Sequence, residues 1–179
     1  MKSWHRGFDT TIIGWVQRIP RSFDKLFVAV THIGDPIAVV FIAAAVMGAA
    51  LTSRSGPDLM FAALMIPLTL FVGAMLKQLF SRARPLSQHA YNLQLDTFSF
   101  PSGHSSGSMI AYGLLAYLSY IVIPSWYGIA GAVVLGVIPL LVGISRVYVG
   151  VHYPTDVVAG WLLGLLALAV IVLGIQPLS

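Results

Sequence analysis

The stretch YGIAGAVVLGVIPLLVGIS, residues 127–145, carries no Asp, Glu, Lys or Arg and shows no period-2 alternation. A helix of that length comes close to crossing a hydrocarbon core of about 30 Å. Similar charge-free runs cover 36–53, 59–76, 97–145 and 157–179. The longest divides at Ile123-Pro124-Ser125-Trp126, a proline turn with an amphipathic ring suited to the headgroup level. Five spans are therefore expected, near 36–53, 59–80, 105–123, 127–144 and 157–175. They must be helices, because unpaired backbone groups in hydrocarbon are costly and the runs lack the alternation of a membrane barrel. Pro67 and Pro139 fall inside two of them and are expected to bend them.

The averages agree. Of 179 residues, 58% are hydrophobic and 9% charged, where water-soluble domains carry about a quarter charged residues. Disorder is excluded by the amount of apolar surface. The pI of about 9.6 does not indicate a nucleic-acid partner, since the cations are few and scattered. There is no cysteine, so neither a disulfide framework nor a thiolate metal site exists. All six acidic residues are Asp, little material for a carboxylate metal cage. The fold class is all-α, a polytopic membrane bundle forming one domain.

Residues 1–34 differ from the rest. Lys2, Arg6, Arg18, Arg21 and Lys25 mix with Trp4, Phe8, Ile12, Trp15, Phe23 and Phe27. Segments 10–19 and 22–33, separated by Pro20, read as amphipathic helices lying in the membrane interface, ahead of a helix bundle over 35–179. A cleavable signal peptide fits poorly, for want of a compact apolar core with a small-residue cleavage site.

Five spans put the amino terminus, the 81–104 loop and the 146–156 loop on one side of the membrane. Three polar clusters gather there: Lys77 with Arg84-Pro85, then Pro101-Ser102-Gly103-His104, then Ser145-Arg146 with His152 and Asp156. Each piece has a plain alternative. Lys77 and Arg84 could be snorkelling anchors, Ser102 an N-cap, His104 a helix-start residue, and Arg146 with Asp156 a structural ion pair. Together, three cations without matching carboxylates call for an anion, and phosphate is the natural candidate. Arg84 and Arg146 offer planar forks and Lys77 a compact charge. Ser102-Gly103-His104 opens an apolar helix, whose free N–H groups attract anions, and Gly103 lets the backbone come close. His152 with Asp156 four residues on has nucleophile-and-orienter spacing, and His104 would protonate the leaving oxygen. The cations would stabilise the transferring group, so turnover without metal or other cofactor is expected.

These clusters resemble the signature of the type 2 phosphatidic acid phosphatase superfamily, which includes the vanadium haloperoxidases. Its pattern is Lys, six residues, Arg-Pro; Pro-Ser-Gly-His; and Ser-Arg, five residues, His, three residues, Asp. The chain matches it at Lys77, Arg84-Pro85, Pro101-Ser102-Gly103-His104, Ser145-Arg146, His152 and Asp156. The resemblance covers roughly 30–175. It implies a metal-independent lipid phosphatase in which His152 forms a phosphohistidine, His104 is the acid and Asp156 partners His152. Lys77, Arg84, Ser102, Gly103 and Arg146 would bind phosphate. It also implies one span fewer than the six of many bacterial members.

The expected partner is a membrane lipid phosphate in the bilayer, foremost a polyprenyl (undecaprenyl-type) pyrophosphate carrier. Phosphatidylglycerophosphate or phosphatidic acid comes second. A haloperoxidase is disfavoured by the spans. A non-catalytic lipid-phosphate binder or transporter is disfavoured by a poised nucleophile that binding does not need. The expected location is the cytoplasmic membrane. The five basic residues of the amino-terminal segment favour a cytoplasmic site, although bacterial relatives usually work on the outer face. Tyr91, Asn92, Gln94 and Asp96 are candidates for headgroup reading or plain loop residues. His32 and His89 are expected bystanders, and His5 a surface residue.

Overall fold

The computed structural model describes residues 4–85 and 97–175, with side chains from residue 7 onward. His89, Tyr91, Asn92, Gln94 and Asp96 lie outside the described residues, as does the side chain of His5. Among the described residues every regular element is helical: α1 (Trp4–Val16), α2 (Asp24–Ile33), α3 (Pro36–Ala50), α4 (Gly56–Phe80), α5 (Gly103–Val122), α6 (Trp126–Tyr148) and α7 (Pro154–Gly174), with a single 3-10 turn at Arg21–Phe23.

The chain is a polytopic membrane protein. Helices α4 to α7 are each long and apolar enough to cross a bilayer. Leu79, Phe71, Leu166 and Leu173 turn outward, as residues in contact with lipid do. The first expected span differs from its reading. α3 has only 15 residues, about 22 Å at the helical rise, too short to cross alone. Only when joined to Arg21–Ile33, which meets it at a 42° bend, is it long and apolar enough to count as a fifth span, so the described residues hold four to five candidate spans. The turn at Ile123–Ser125 separates α5 from α6 as read, and Pro67 and Pro139 sit inside α4 and α6.

α5 is the central helix. Its apolar window is 56% buried, against 28% for α4, α6 and α7. Val39 of α3, Ala62 and Ile66 of α4, Ile110 and Leu114 of α5 and Ile171 of α7 form the fully enclosed core. α7 reaches α5 through small residues. A Cβ on Gly160 would stand 2.5 Å from Ser102 O, and one on Gly164 would stand 2.7 Å from Ser106 O. This is the close backbone approach that small residues permit between membrane helices. The amino-terminal helices are not free at the interface, because α1 packs on α6 and α7, and α2 packs on α6. Asp9 of α1 is buried.

Candidate active site

Four helix ends meet at one end of the bundle, and each positions part of a motif. α4 stops at Ser81, whose N–H closes the last turn on Lys77 O at 3.0 Å and whose left-handed backbone (φ 45°) turns the following chain out of the helix. The chain beyond runs beside residues 97–99, with Ser99 N–H donating to Arg82 O at 2.8 Å and Ser99 Oγ to Ala83 O at 3.1 Å. α5 is capped by Ser102, whose Oγ accepts from Ser105 N–H at 3.4 Å and from the Ser105 hydroxyl at 2.9 Å. The N-cap reading of Ser102 therefore holds. Ser102 N–H donates to Asp156 O at 3.0 Å, joining the second motif to the third. Beside Gly103 the space is open, the nearest atom to an added Cβ being Lys77 Cε at 4.0 Å.

The third motif turns back on itself at Gly150 (φ 74°), a conformation glycine adopts without strain. The N–H groups of Val151 and His152 then both donate to Arg146 O, at 3.2 and 3.3 Å. His152 is 2% exposed. Its Nε2 lies 3.4 Å from Arg84 Nη1, and because a guanidinium can only donate, this geometry assigns the lone pair to Nε2. Burial, with the charges of Arg146 and Arg84, pushes the His152 imidazole down to about 3 against the pull of Asp156. The ring is therefore neutral at physiological pH.

The expected bond from Asp156 to His152 is not formed at hydrogen-bonding distance. His152 Nδ1 stands 3.5 Å from Asp156 Oδ2 and has no hydrogen-bond partner. The carboxylate is taken by shorter bonds: Arg82 Nη1 donates to Oδ1 at 2.6 Å, and Tyr153 N–H to Oδ2 at 2.9 Å. Arg82 also donates to Asp9 Oδ2 at 2.8 Å and to Thr155 Oγ1 at 2.7 Å, and lies 4.0 Å over the Tyr153 ring. Asp9 accepts from both Thr155 N–H and the Thr155 hydroxyl, each at 2.9 Å. Arg82 and Asp9 were not read from the sequence as site residues. Arg82 lies only two residues before Arg84, but nothing in its spacing announces Asp156 as its partner.

The three cations that were read from the sequence are held differently. Arg84 donates to Thr97 O at 2.8 Å, Thr97 Oγ1 at 2.9 Å and Val151 O at 2.8 Å. Lys77 Nζ donates to Phe98 O at 3.1 Å. Arg146 Nη1 donates to Thr31 Oγ1 at 2.7 Å, while its buried Nε has no partner. The alternative of an Arg146–Asp156 ion pair is thus not realised. The carboxylates of Asp9, Asp35 and Asp156 are met by Arg82 and by the rings of His32, His104 and His152, not by these three cations. The charges of Arg146 and Arg84 both act on the His152 ring. Burial lowers the Arg84 guanidinium from its ordinary value, with the Asp156 charge acting the other way.

His104, in the first turn of α5, meets Asp35 instead of a cation: its Nε2 lies 2.7 Å from Asp35 Oδ1. Asp35 Oδ2 lies 2.8 Å from His32 Nδ1. His32, expected to be a bystander, thus shares a carboxylate with the expected acid. Beside the cluster, Arg82 and Thr155 line a groove of about 640 Å3 whose other walls are Phe8, Phe80, Phe100, Val158, Ala159 and Leu162. No set of three His, Cys, Asp or Glu side chains placed to hold a metal ion occurs among the described residues.

Comparison with known proteins follows this geometry. The PAP2 superfamily model matches residues 58–178. Phosphatidylglycerophosphatase B of Bacillus subtilis (strain 168) is 44% identical over 93 residues, 51% of this chain and 45% of that protein. Undecaprenyl-diphosphatase of Sulfolobus acidocaldarius is 45% identical over 67 residues, 37% of this chain and 29% of that protein. The chain thus aligns with less than half the length of these two curated relatives. Among solved structures, a transmembrane PAP2 type phosphatidylglycerolphosphate phosphatase from Bacillus subtilis superposes with a TM-score of 0.82 at 28% identity, covering 95% of this chain and 85% of that one. Aquifex aeolicus LpxE shares the fold, with a TM-score of 0.64 at 18% identity over 91% of this chain and 93% of that one.

Proposed function

The chain belongs to the PAP2 superfamily, and from that we propose that it is a membrane lipid phosphatase working through a phosphohistidine. The observation that carries this reading is the arrangement around His152. Three cations whose bonds within the protein go to neutral oxygens stand by a buried neutral imidazole with its lone pair on Nε2. In the proposed reaction Nε2 attacks phosphorus while His104 gives a proton to the leaving oxygen, so that an N–P bond forms as a P–O bond breaks. Water then attacks the phosphohistidine, His104 takes the water's proton, and phosphate departs. Lys77, Arg84 and Arg146 neutralise the equatorial oxygens, together with the N–H groups at the start of α5 beside Ser102 and Gly103. Asp156 is close enough to His152 to stabilise the positive charge that develops on the ring during attack.

The substrate is a phosphomonoester or pyrophosphate on a lipid whose chains stay in the bilayer. Phosphatidylglycerophosphate is supported by the 44% identical curated relative and by the similar solved structure, both of which carry that activity in their names. A polyprenyl pyrophosphate is the second reading, supported by the archaeal relative. An all-helical bundle fits the cytoplasmic membrane and not an outer membrane of barrels. Phosphate release from a panel of lipid phosphates in detergent, with EDTA present, tests reaction, substrate and metal independence together. Wild type should release phosphate, and His152→Ala should abolish release while still binding the lipid. Undiminished release by His152→Ala would refute the mechanism.

A further inference from the structure

The elbow between α2 and α3, residues 31–35, lies outside the stretch matched by the family model, yet three of its residues reach into the site. Thr31 accepts from Arg146 at 2.7 Å, Ile33 O accepts from the Tyr112 hydroxyl at 2.9 Å, and Asp35 holds His104 at 2.7 Å. Gly34 fixes the elbow against α6, because a Cβ there would stand 2.4 Å from Val142 Cγ1. The elbow is therefore seated on α5 and α6 and not merely joined to α3.

Asp35 occupies the N-cap position of α3, where an aspartate ordinarily accepts from the first free N–H groups of its helix. It makes no such bond. Each carboxylate oxygen goes to a histidine instead, and the three side chains grade outward: His104 is 16% exposed, Asp35 35% and His32 61%. An acid needs its proton, and a carboxylate bonded to the ring favours the protonated form. Asp35 is the carboxylate in contact with it.

We propose that Asp35 is a positioning residue for the acid of this reaction. It anchors His104 through Nε2, leaves Nδ1 for the leaving oxygen, and supplies the counter-charge that an imidazolium needs beside Arg146 and Lys77. His32 occupies the other oxygen of Asp35 and orients it. In the first step the Nδ1 proton moves to the leaving oxygen as the P–O bond breaks and the His152–P bond forms. In the second, a proton of the attacking water returns to Nδ1 as the new P–O bond forms and the N–P bond breaks. The Nε2 proton stays on the Asp35 side throughout. This inference rests on the phosphatase reading above.

Protonation of the leaving oxygen matters for an alkoxide and hardly for p-nitrophenolate, which departs unaided. The test compares kcat and KM on short-chain phosphatidic acid and on p-nitrophenyl phosphate for wild type, Asp35→Asn, His104→Ala and the double variant. Asp35→Asn should lower kcat on the alkyl phosphate on the order of a hundredfold, with KM little changed, while the single-turnover burst of p-nitrophenolate, which reports the first step alone, stays nearly unchanged. It should add no loss to His104→Ala. Equal losses in alkyl phosphate turnover and in the p-nitrophenolate burst, or additive losses in the double variant, would show a merely structural tie and overturn the proposal. His32→Gln, at an exposed position, should reproduce the same selectivity more weakly and carries the test if Asp35→Asn does not accumulate folded. Wild type inactive on both substrates would instead sink the phosphatase reading itself.

Discussion

Gly160→Ala is a one-methyl change away from every reacting group, and it should slow the enzyme. Gly160 lies one turn after Asp156 on α7 and faces the residues that start α5. Its added Cβ would sit 2.5 Å from Ser102 O, 2.8 Å from Ser105 Cβ and 3.2 Å from Ser106 N, where contacts under 3.0 Å are essentially never adopted. The obstacle is backbone, so no rotamer relieves it, and the two helix ends must part by about half an ångström or more. The Ser102 N–H bond to Asp156 O, now 3.0 Å, spans that gap. Separating the ends moves His104 away from His152, and displacements on this scale cost reaction rates roughly ten- to a hundredfold. The strain itself should cost about 1–3 kcal/mol. Gly136→Ala on α6 is the control, with nothing within 4 Å of the added carbon. The assay is kcat on a lipid phosphate beside the thermal midpoint in detergent. A Gly160→Ala protein as active as the Gly136→Ala control would refute the claim that this contact sets the spacing of the two histidines.

Two further outcomes follow from the same contacts. Arg82→Ala removes the shortest bond to the fully buried Asp156 and should cost about 2–3 kcal/mol, the low end for a buried pair because Arg82 is itself part exposed; an unchanged thermal midpoint would contradict it. Acid should destabilise the fold through His152. Its imidazole is held near 3 in the protein, against 6.5 when free, so below about pH 6.5 the unfolded chain binds a proton that the native site refuses. The stability present above pH 6.5 should be lost steadily as pH falls toward 3, and His152→Gln should flatten that slope in detergent melts between pH 7 and pH 5.

The membrane bundle was legible because hydrocarbon imposes a length and forbids charge, and both constraints are visible in a one-dimensional string. The breaks were legible for the same reason: Pro124 and the charged residues at 54–58 and 146–156 mark where the helices stop. The first span misled because its charge-free run, 36–53, continues beyond the helical portion, which ends at Ala50. Composition registers apolarity, while helix length depends on where the backbone turns. At the site, residues on one motif with fixed spacing could be read together. Partners supplied from elsewhere could not: Asp35 stands 69 residues before His104, Asp9 lies 73 before Arg82, and Thr31 lies 115 before Arg146. Asp9 and Thr31 come from residues 1–34, which read as an interfacial segment because their hydrophobic pattern is weak, and Asp35 follows directly after it. Asp9, Thr31 and Asp35 nevertheless reach the helices that carry the motifs.

The way the fold divides its few acidic groups explains why that amino-terminal segment matters. A site holding Lys77, Arg82, Arg84 and Arg146 would collapse on its own carboxylates if each cation could reach one, and the resulting ion pairs would leave nothing to attract a ligand. The structure prevents this by geometry. Arg82 takes both Asp9 and Asp156, and Asp35 is filled by two histidines. The remaining three cations are left with carbonyl and hydroxyl oxygens, which fix their positions without cancelling their charge. Those neutral bonds are weak next to a charge-assisted bond to phosphate, so under the proposed function an arriving headgroup would draw on the full field of three cations. Giving Arg146 a carboxylate neighbour should therefore weaken catalysis even with every motif residue intact: Thr31→Asp should form a buried pair with Arg146 and raise KM for the lipid phosphate on the order of tenfold or more. An unchanged KM in a folded Thr31→Asp protein would show that Arg146 contributes no binding charge.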